Sequence, residues 1–191
     1  MRTGTRWLST GGLAAFAGGA VAALIASRVL PPLMAQAAGS ARVKAGRDPF
    51  AELEDDHRKL LALLDRMADT RDDAVMDRTQ LLLRLKRRLG AHALAEENVV
   101  YPLLHDEARQ AEDADHLYGE HAEMKMHLFA LEQMPKDDPR WIGRAHALRD
   151  LIARHVRQEE EVDFPRLRQV MGEREAAKMS GSMQREKALL L

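Results

Sequence analysis

One thirteen-residue pattern occurs twice in this chain, and it restricts the possible folds more than any other feature. The first copy places His92, Glu96, Glu97, Tyr101, Pro102 and Leu104 in the order His-x-x-x-Glu-Glu-x-x-x-(Tyr/Phe)-Pro-x-Leu. The second repeats it with His155, Glu159, Glu160, Phe164, Pro165 and Leu167. An acid-histidine pair precedes each copy, Asp56-His57 and then Glu120-His121. The chain therefore reads as one unit used twice: a helix with a single histidine, then a helix with His-x-x-x-Glu. Four residues apart on a helix is one turn, so each His and Glu lie side by side on one face.

The hydrophobic periodicity agrees. Apolar residues at steps of three and four predict a helix over 48–68, with Phe50, Leu53, His57, Leu60, Leu64 and Met67 on its inner stripe. A second, over 74–105, carries Leu85, Leu89, His92, Glu96, Val99 and Leu103. A third, over 113–134, carries Leu117, His121, Met124, Leu128 and Leu131, and a fourth, from about residue 139, carries Leu148, Ile152, His155, Glu159 and Val162. Asp48-Pro49 and Asp138 read as helix starts. Pro102 and Pro165 should kink or end their helices. Gly172 marks a stop, after which 173–190 suits a short helix. These elements predict an all-α fold: an antiparallel up-down four-helix bundle with an N-terminal hydrophobic helix and a short C-terminal helix. Residues 1–47 would be a membrane anchor or signal segment plus a basic linker, 48–171 the bundle, and 172–191 the C-terminal helix.

The stripes sort the histidines. His57, His92, His121 and His155 fall on core faces, one per helix, whereas His105, His116, His127 and His146 fall beside them. Glu96 and Glu159 share those core faces, and an isolated buried carboxylate is costly unless it neutralises or finds a partner. Each His-Glu pair could satisfy itself as an ion pair, but buried pairs gain little net stability and would leave His57 and His121 without a role. Two cations between the helices would compensate both carboxylates and engage all four imidazoles. The chain has no cysteine, so a metal would be held by His and carboxylate alone. Glu97, Glu160, Glu161, Asp56 and Glu120 suit a solvated face or the orientation of ligand imidazoles. Met124, Met126, Tyr101 and Phe164 read as packing residues.

Taken together, Asp56-His57, His92-x-x-x-Glu96-Glu97 with Tyr101-Pro102, Glu120-His121, and His155-x-x-x-Glu159-Glu160 with Phe164-Pro165 resemble the hemerythrin-like family, the HHE cation-binding domain. The resemblance covers about residues 48–171. It implies a non-haem di-iron centre of two oxo- or hydroxo-bridged iron ions, with His57, His92, His121 and His155 as terminal ligands and Glu96 and Glu159 as bridges. The oxygen carriers of the family have a further histidine one turn after the third-helix histidine; Lys125 stands there in this chain, a poor ligand while protonated. One iron would then keep an open position, filled by water or by a carboxylate such as Glu123. An imidazole-rich site of this kind should tolerate ferrous iron and bind a small neutral ligand. The expected function is binding of dioxygen or another small diatomic, for carriage, sensing or scavenging. The alternative is an iron-handling or redox enzyme, ferroxidase-like, peroxidase-like or an iron donor, and a third reading is a structural bundle with inert histidines.

Residues 1–47 hold six basic residues and no acid, so the net charge of −1 leaves −7 on the remainder. A basic head on an acidic body suits a membrane surface and not nucleic acid. Residues 7–27 are uncharged and rich in Ala, Gly and Leu. As a helix they would span roughly 31 Å, about the hydrocarbon thickness of a bilayer. Gly11, Ala15, Gly19 and Ala23 recur every fourth residue, a small-residue face on which two such helices could pair as a homodimer. Pro31-Pro32 should end this helix. The expectation is a membrane-anchored protein; the alternative, from the small-x-small sequence Ala35-Gln36-Ala37, is export to the periplasm after signal cleavage. No nucleophile arrangement, glycine-rich phosphate loop or basic aromatic surface accompanies the pattern.

Overall fold

The computed structural model describes the backbone of residues 10–108 and 110–190, and their side chains from residue 26 onward. All regular secondary structure among the described residues is helical: α1 (Thr10–Lys44), α2 (Ala51–Ala68), α3 (Val75–Ala95), α4 (Tyr101–Asp106), α5 (Ala111–Gln133), α6 (Trp141–Gln158), α7 (Phe164–Val170) and α8 (Glu173–Lys187). Two wide, π-helical turns, Glu96–Val100 and Glu159–Asp163, join α3 to α4 and α6 to α7 without a break.

Both anticipated starts move inward. Asp48 Oδ1 accepts the Phe50 N–H at 3.0 Å and Asp138 Oδ1 accepts the Arg140 N–H at 2.8 Å, so each aspartate closes a turn ahead of its helix. α2 and α6 begin at Ala51 and Trp141, past Pro49 and Pro139, and neither has a side-chain cap. α2 packs on α3 and α6, and α5 packs on α6 and α4.

The apolar core is split in two. One cluster holds Leu60, Leu64, Leu85, Leu89, Met124, Trp141 and Ile152. The other holds Phe50, Leu53, Ala95, Tyr101, Leu117, Phe164 and Leu167. α2 passes from Leu53 through His57 to Leu60, and α5 from Leu117 through His121 to Met124; α3 runs the opposite way, from Leu89 through His92 to Ala95. The conspicuous polar residues thus occupy the level between two hydrophobic clusters.

The prolines act differently from expectation. Neither Pro102 nor Pro165 ends its helix; each is the second residue of the short helix that follows a π turn. In each turn the N–H of the residue after it, Tyr101 or Phe164, reaches back five residues to the carbonyl of Glu96 or Glu159. The extra residue per turn shifts the helix phase. In an unbroken α-helix Tyr101 would lie about 180° from His92; the wide turn brings it round to the same face. The buried residues are accordingly Val100, Tyr101 and Leu104 in place of the predicted Val99 and Leu103, and Asp163, Phe164 and Leu167 in place of Val162.

Pro31 and Pro32 also lie inside α1, which runs on to Lys44. Its C-terminal half docks on α8 at a close crossing. Ser40 Oγ donates to the Ala177 carbonyl at 2.9 Å, and Ser180 Oγ donates to the Gly39 carbonyl at 3.1 Å. A Cβ at Gly181 would lie 2.2 Å from Ser40 Oγ and 2.8 Å from the Gln36 carbonyl, so only glycine allows this approach. α8 in turn lies against α3 and the first π turn.

The expected membrane location is overturned: among the described residues no helix is long and apolar enough to cross a membrane. From residue 26 onward α1 carries Arg28, Gln36, Arg42 and Lys44 and uses one face to pack on α8. The stretch 7–27, and with it the proposed pairing face of Gly11, Ala15, Gly19 and Ala23, lies almost entirely outside the residues whose side chains are described.

Candidate metal centre

Each histidine of the four core stripes turns its Nε2 inward. His57 Nε2 and His92 Nε2 are 3.1 Å apart, and His121 Nε2 and His155 Nε2 are 3.2 Å apart. Glu96 and Glu159 are fully buried among them. Donor atoms of His57, His92, Glu96 and Glu159 lie within 4.8 Å of one another, as do those of Glu96, His121 and His155, and either group could hold a metal ion. All six sequence-derived candidates are therefore brought together. The two groups are unequal, because Glu96 belongs to both and Glu159 only to the first.

The outward ring nitrogens show why the neighbouring acids recur. Glu160 Oε1 accepts from His57 Nδ1 at 2.7 Å, Glu97 Oε1 from His121 Nδ1 at 2.9 Å, and Glu120 Oε2 from His155 Nδ1 at 2.9 Å. Such bonds fix the tautomer and turn Nε2 toward the centre. The fourth is missing. Asp56 Oδ2 stays 4.0 Å from His92 Nδ1 and instead receives Lys187 Nζ from α8 at 2.5 Å. Aspartate is one methylene shorter than the Glu120 that occupies the matching place.

Lys125 does not enter the cluster. It is exposed and donates to Glu97 Oε1 at 2.6 Å, so it steadies the acid that steadies His121. Glu123 faces His127, away from the centre. His105, His116 and His146 are exposed, and His127 belongs to neither group. Met124 is buried and lines a cavity at His121, whereas Met126 is exposed.

Two residues read as packing or passed over belong to the site. The Tyr101 hydroxyl lies 2.9 Å from His121 Nε2 and donates to Glu159 Oε1 at 2.9 Å. The signal for it was the difference between copies, tyrosine in one and phenylalanine in the other. Asp163 is buried in a pocket that it shares with Tyr101, Glu159 and Phe164. Its counterpart is Val100, and a carboxylate in a valine's place was the clue there.

The electrostatics of the metal-free chain ask for positive charge. Burial would lower His57, but the surrounding carboxylates of Glu159, Glu160 and Glu96 hold it well above its ordinary value. Burial likewise opposes His121, yet Glu96 and Glu97 push it up to about 9. His92, lacking a carboxylate at Nδ1, is pulled down by burial. Burial would raise Glu96, but the charge of His92 and the imidazoles of His121 and His57 beside it keep it well below the usual carboxylate range. Burial, with Glu159 and Glu96 nearby, drives the Tyr101 hydroxyl well up, so it remains a donor. Protons thus gather where cations would sit.

The residues fit bound metal on a second observation. Both oxygens of Glu96 and Oε2 of Glu159 are buried without a hydrogen-bond partner, although imidazole nitrogens stand 3.0–3.6 Å from them. Leaving such oxygens unsatisfied costs several kcal/mol, on the order of 1–3 each. Cations between the imidazoles and carboxylates would satisfy all of them, with an N/O donor set suited to iron, manganese or zinc.

The chain is similar to known proteins. The chain is 31% identical over 113 residues to a protein named DNA nickase from Nostoc sp., covering 59% of this chain and 31% of that protein. It is 29% identical over 138 residues to an uncharacterized hemerythrin-like protein of Schizosaccharomyces pombe, covering 69% of this chain and 65% of that one. It thus spans less than two thirds of the length of either relative. No solved structure matches it. The model of the hemerythrin HHE cation binding domain matches residues 34–167, enclosing every residue of the cluster. With its paired His-x-x-x-Glu turns facing one another around a buried centre, the chain belongs to the hemerythrin HHE cation-binding domain family.

Proposed function

We propose that this chain is a non-haem di-iron protein that binds dioxygen or a related diatomic ligand. Its frame would be an antiparallel up-down bundle of α2, α3 with α4, α5, and α6 with α7. The observation that carries the reading is the pair of donor groups joined through Glu96: His57, His92, Glu96 and Glu159 would hold one iron, and Glu96, His121 and His155 the other. Iron bound there would supply a reversible one-electron couple and a coordination position for a small neutral molecule. An apolar cavity of about 830 Å³ between α3 and α5 supports access, since it reaches His121 past Leu89, Ala93 and Met124. Glu97, Glu120 and Glu160 orient the imidazoles, and the two apolar clusters exclude water above and below.

One observation favours a second reading, an iron-handling or redox enzyme. Tyr101 places an O–H 2.9 Å from both Glu159 and His121, a hydrogen-bond donor beside the centre that simple carriage does not require. The nickase similarity covers 31% of that protein, and the acidic body of this chain would be repelled by phosphates.

The test is an optical spectrum of the full chain loaded with ferrous iron without oxygen, exposed to air, then deoxygenated. A charge-transfer band that appears and disappears supports reversible binding. A band that persists or bleaches with peroxide release moves the function to redox chemistry. No bound iron and no band sinks both.

A further inference from the structure

His92 is the one cluster imidazole whose outer nitrogen lacks a partner. It lines a second, half-open cavity of about 800 Å³ bordered by α1, α2, α3 and α8, within the size range of small-molecule sites. If Nε2 of His92 holds metal, as proposed above, Nδ1 carries the ring proton and is a buried donor with nothing to receive it. In the other half of the molecule the same atom has a carboxylate, Glu120, at 2.9 Å.

The charges around this cavity are unbalanced once its ion pairs are matched. Each acid that lines it is engaged. Glu52 holds Arg42 and Gln184, Asp55 holds Lys59, Asp56 holds Lys187, and Asp48 holds Arg168. Arg47 and Arg88 also line it, and neither has an ion-pair partner among the described residues. Arg88 stands one turn before His92 on α3, so its guanidinium and the His92 imidazole share a face. Apart from Ser180, whose hydroxyl is spent on the Gly39 carbonyl, the remaining walls are small and apolar: Pro31, Ala35, Val43, Ala51, Ala91 and Ala188.

We infer that this cavity is a binding site for a small organic anion, a carboxylate on an apolar body, whose head is held by Arg88 and Arg47 and accepts the Nδ1–H of His92. The bound carboxylate would take the place that Asp56 leaves open and complete the set of acids orienting the four imidazoles. Guanidinium and carboxylate form two parallel charge-assisted bonds, which gives Arg88 the largest share of recognition. The inference rests on the metal reading, because a cation at Nε2 fixes the ring proton of His92 on Nδ1.

The experiment titrates benzoate into the full chain by calorimetry, with zinc as a redox-silent cation, and uses benzyl alcohol as the uncharged analogue. Zinc content per chain is measured separately by elemental analysis. Benzoate should bind the zinc-loaded chain, with affinity falling about tenfold or more in Arg88→Ala and for benzyl alcohol in place of benzoate. The metal-free chain should bind benzoate about threefold more weakly or worse. Full zinc uptake with no benzoate binding, or with binding indifferent to Arg88→Ala, to ligand charge or to metal, overturns the inference and leaves the metal reading standing. A chain that takes up no zinc sinks the metal reading itself. Arg88 is exposed, so its replacement leaves the core intact.

Discussion

Tyr101 and Phe164 stand at matching positions of the two copies, yet only Tyr101 reaches the cluster with a polar atom, 2.9 Å from Glu159 Oε1. Phe164 stacks its ring on His57 with centroids 6.0 Å apart. The duplicated sequence therefore yields two unlike donor groups. Tyr101 engages Glu159 at Oε1, whereas Oε2 faces His57 at 3.2 Å and His155 at 3.4 Å, and Glu159 falls in the first group alone.

Replacing Tyr101 with Phe should destabilise the metal-free chain by about 1–3 kcal/mol, since a buried carboxylate oxygen loses its donor. In the metal-loaded chain the loss should be smaller, because Glu159 Oε1 can turn to the second cation. Denaturant unfolding with and without metal checks this; equal losses in both states would count against it.

Glu96 joins the two groups, and the effects of substitution should reflect that. Elemental analysis should give two metal ions per wild-type chain, about one for His121→Ala, and close to none for Glu96→Gln. Retention of two ions by Glu96→Gln would remove the shared-carboxylate arrangement.

The metal-free chain should lose stability on the alkaline side. His121 is raised from 6.5 to about 9 by Glu96 and Glu97 against burial, so its stabilisation is complete below pH 6.5 and disappears as pH rises through about 9. His57 is shifted in the same direction. Glu96 is shifted down, so its contribution is lost on acidification below its ordinary 4.5. Metal displaces the histidine protons and binds better as pH rises, so the loaded chain should show no alkaline decline over the same interval. Thermal melts across pH 4–10, with and without metal, would reveal a flat metal-free profile if these shifts are absent.

Asp163 behaves oppositely. Burial raises it from 3.8 to about 6, with Asp113 and Glu159 adding to the effect against Gln158 and Arg166. Its ionisation in the fold is penalised, so stability falls as pH rises through that interval. Asp163→Asn removes the penalty. It should stabilise the chain by about 1–3 kcal/mol at pH 8 and change little at pH 4. A gain of equal size at both values would contradict the assignment.

At the α1–α8 crossing, Gly181→Ala introduces a Cβ 2.8 Å from the Gln36 carbonyl. Backbone must move, at a cost of about 1–3 kcal/mol that exceeds the helix preference of alanine. Trypsin should then cut faster at Arg28, Arg42 and Lys44, while the cluster retains its metal content.

The all-helical character and the six candidate residues that converge were legible because burial on a helix leaves a three-and-four periodicity and because the unit repeats. His57 sits between Leu53 and Leu60 in the sequence just as it does in the core. Beyond each His-x-x-x-Glu the reading fails by one residue, since the π turn resets the phase that the periodicity assumes. Val99 was expected inward and Val100 is found there. Contacts between distant segments leave no local trace either. Nothing near Asp56 announces that Lys187 will take its carboxylate, and nothing near Gly39 announces Ser180.

The wide turn occupies the same place in both copies, following Glu96 and Glu159 and preceding Pro102 and Pro165. The same phase shift therefore acts in both halves of the chain. One unit contributes a lone imidazole and one His-x-x-x-Glu, half of the donors. Either half alone would need a second copy of itself to assemble the full set, and holding both in one chain lets Tyr101 differ from Phe164, and Asp56 from Glu120, so that the two halves do unlike work.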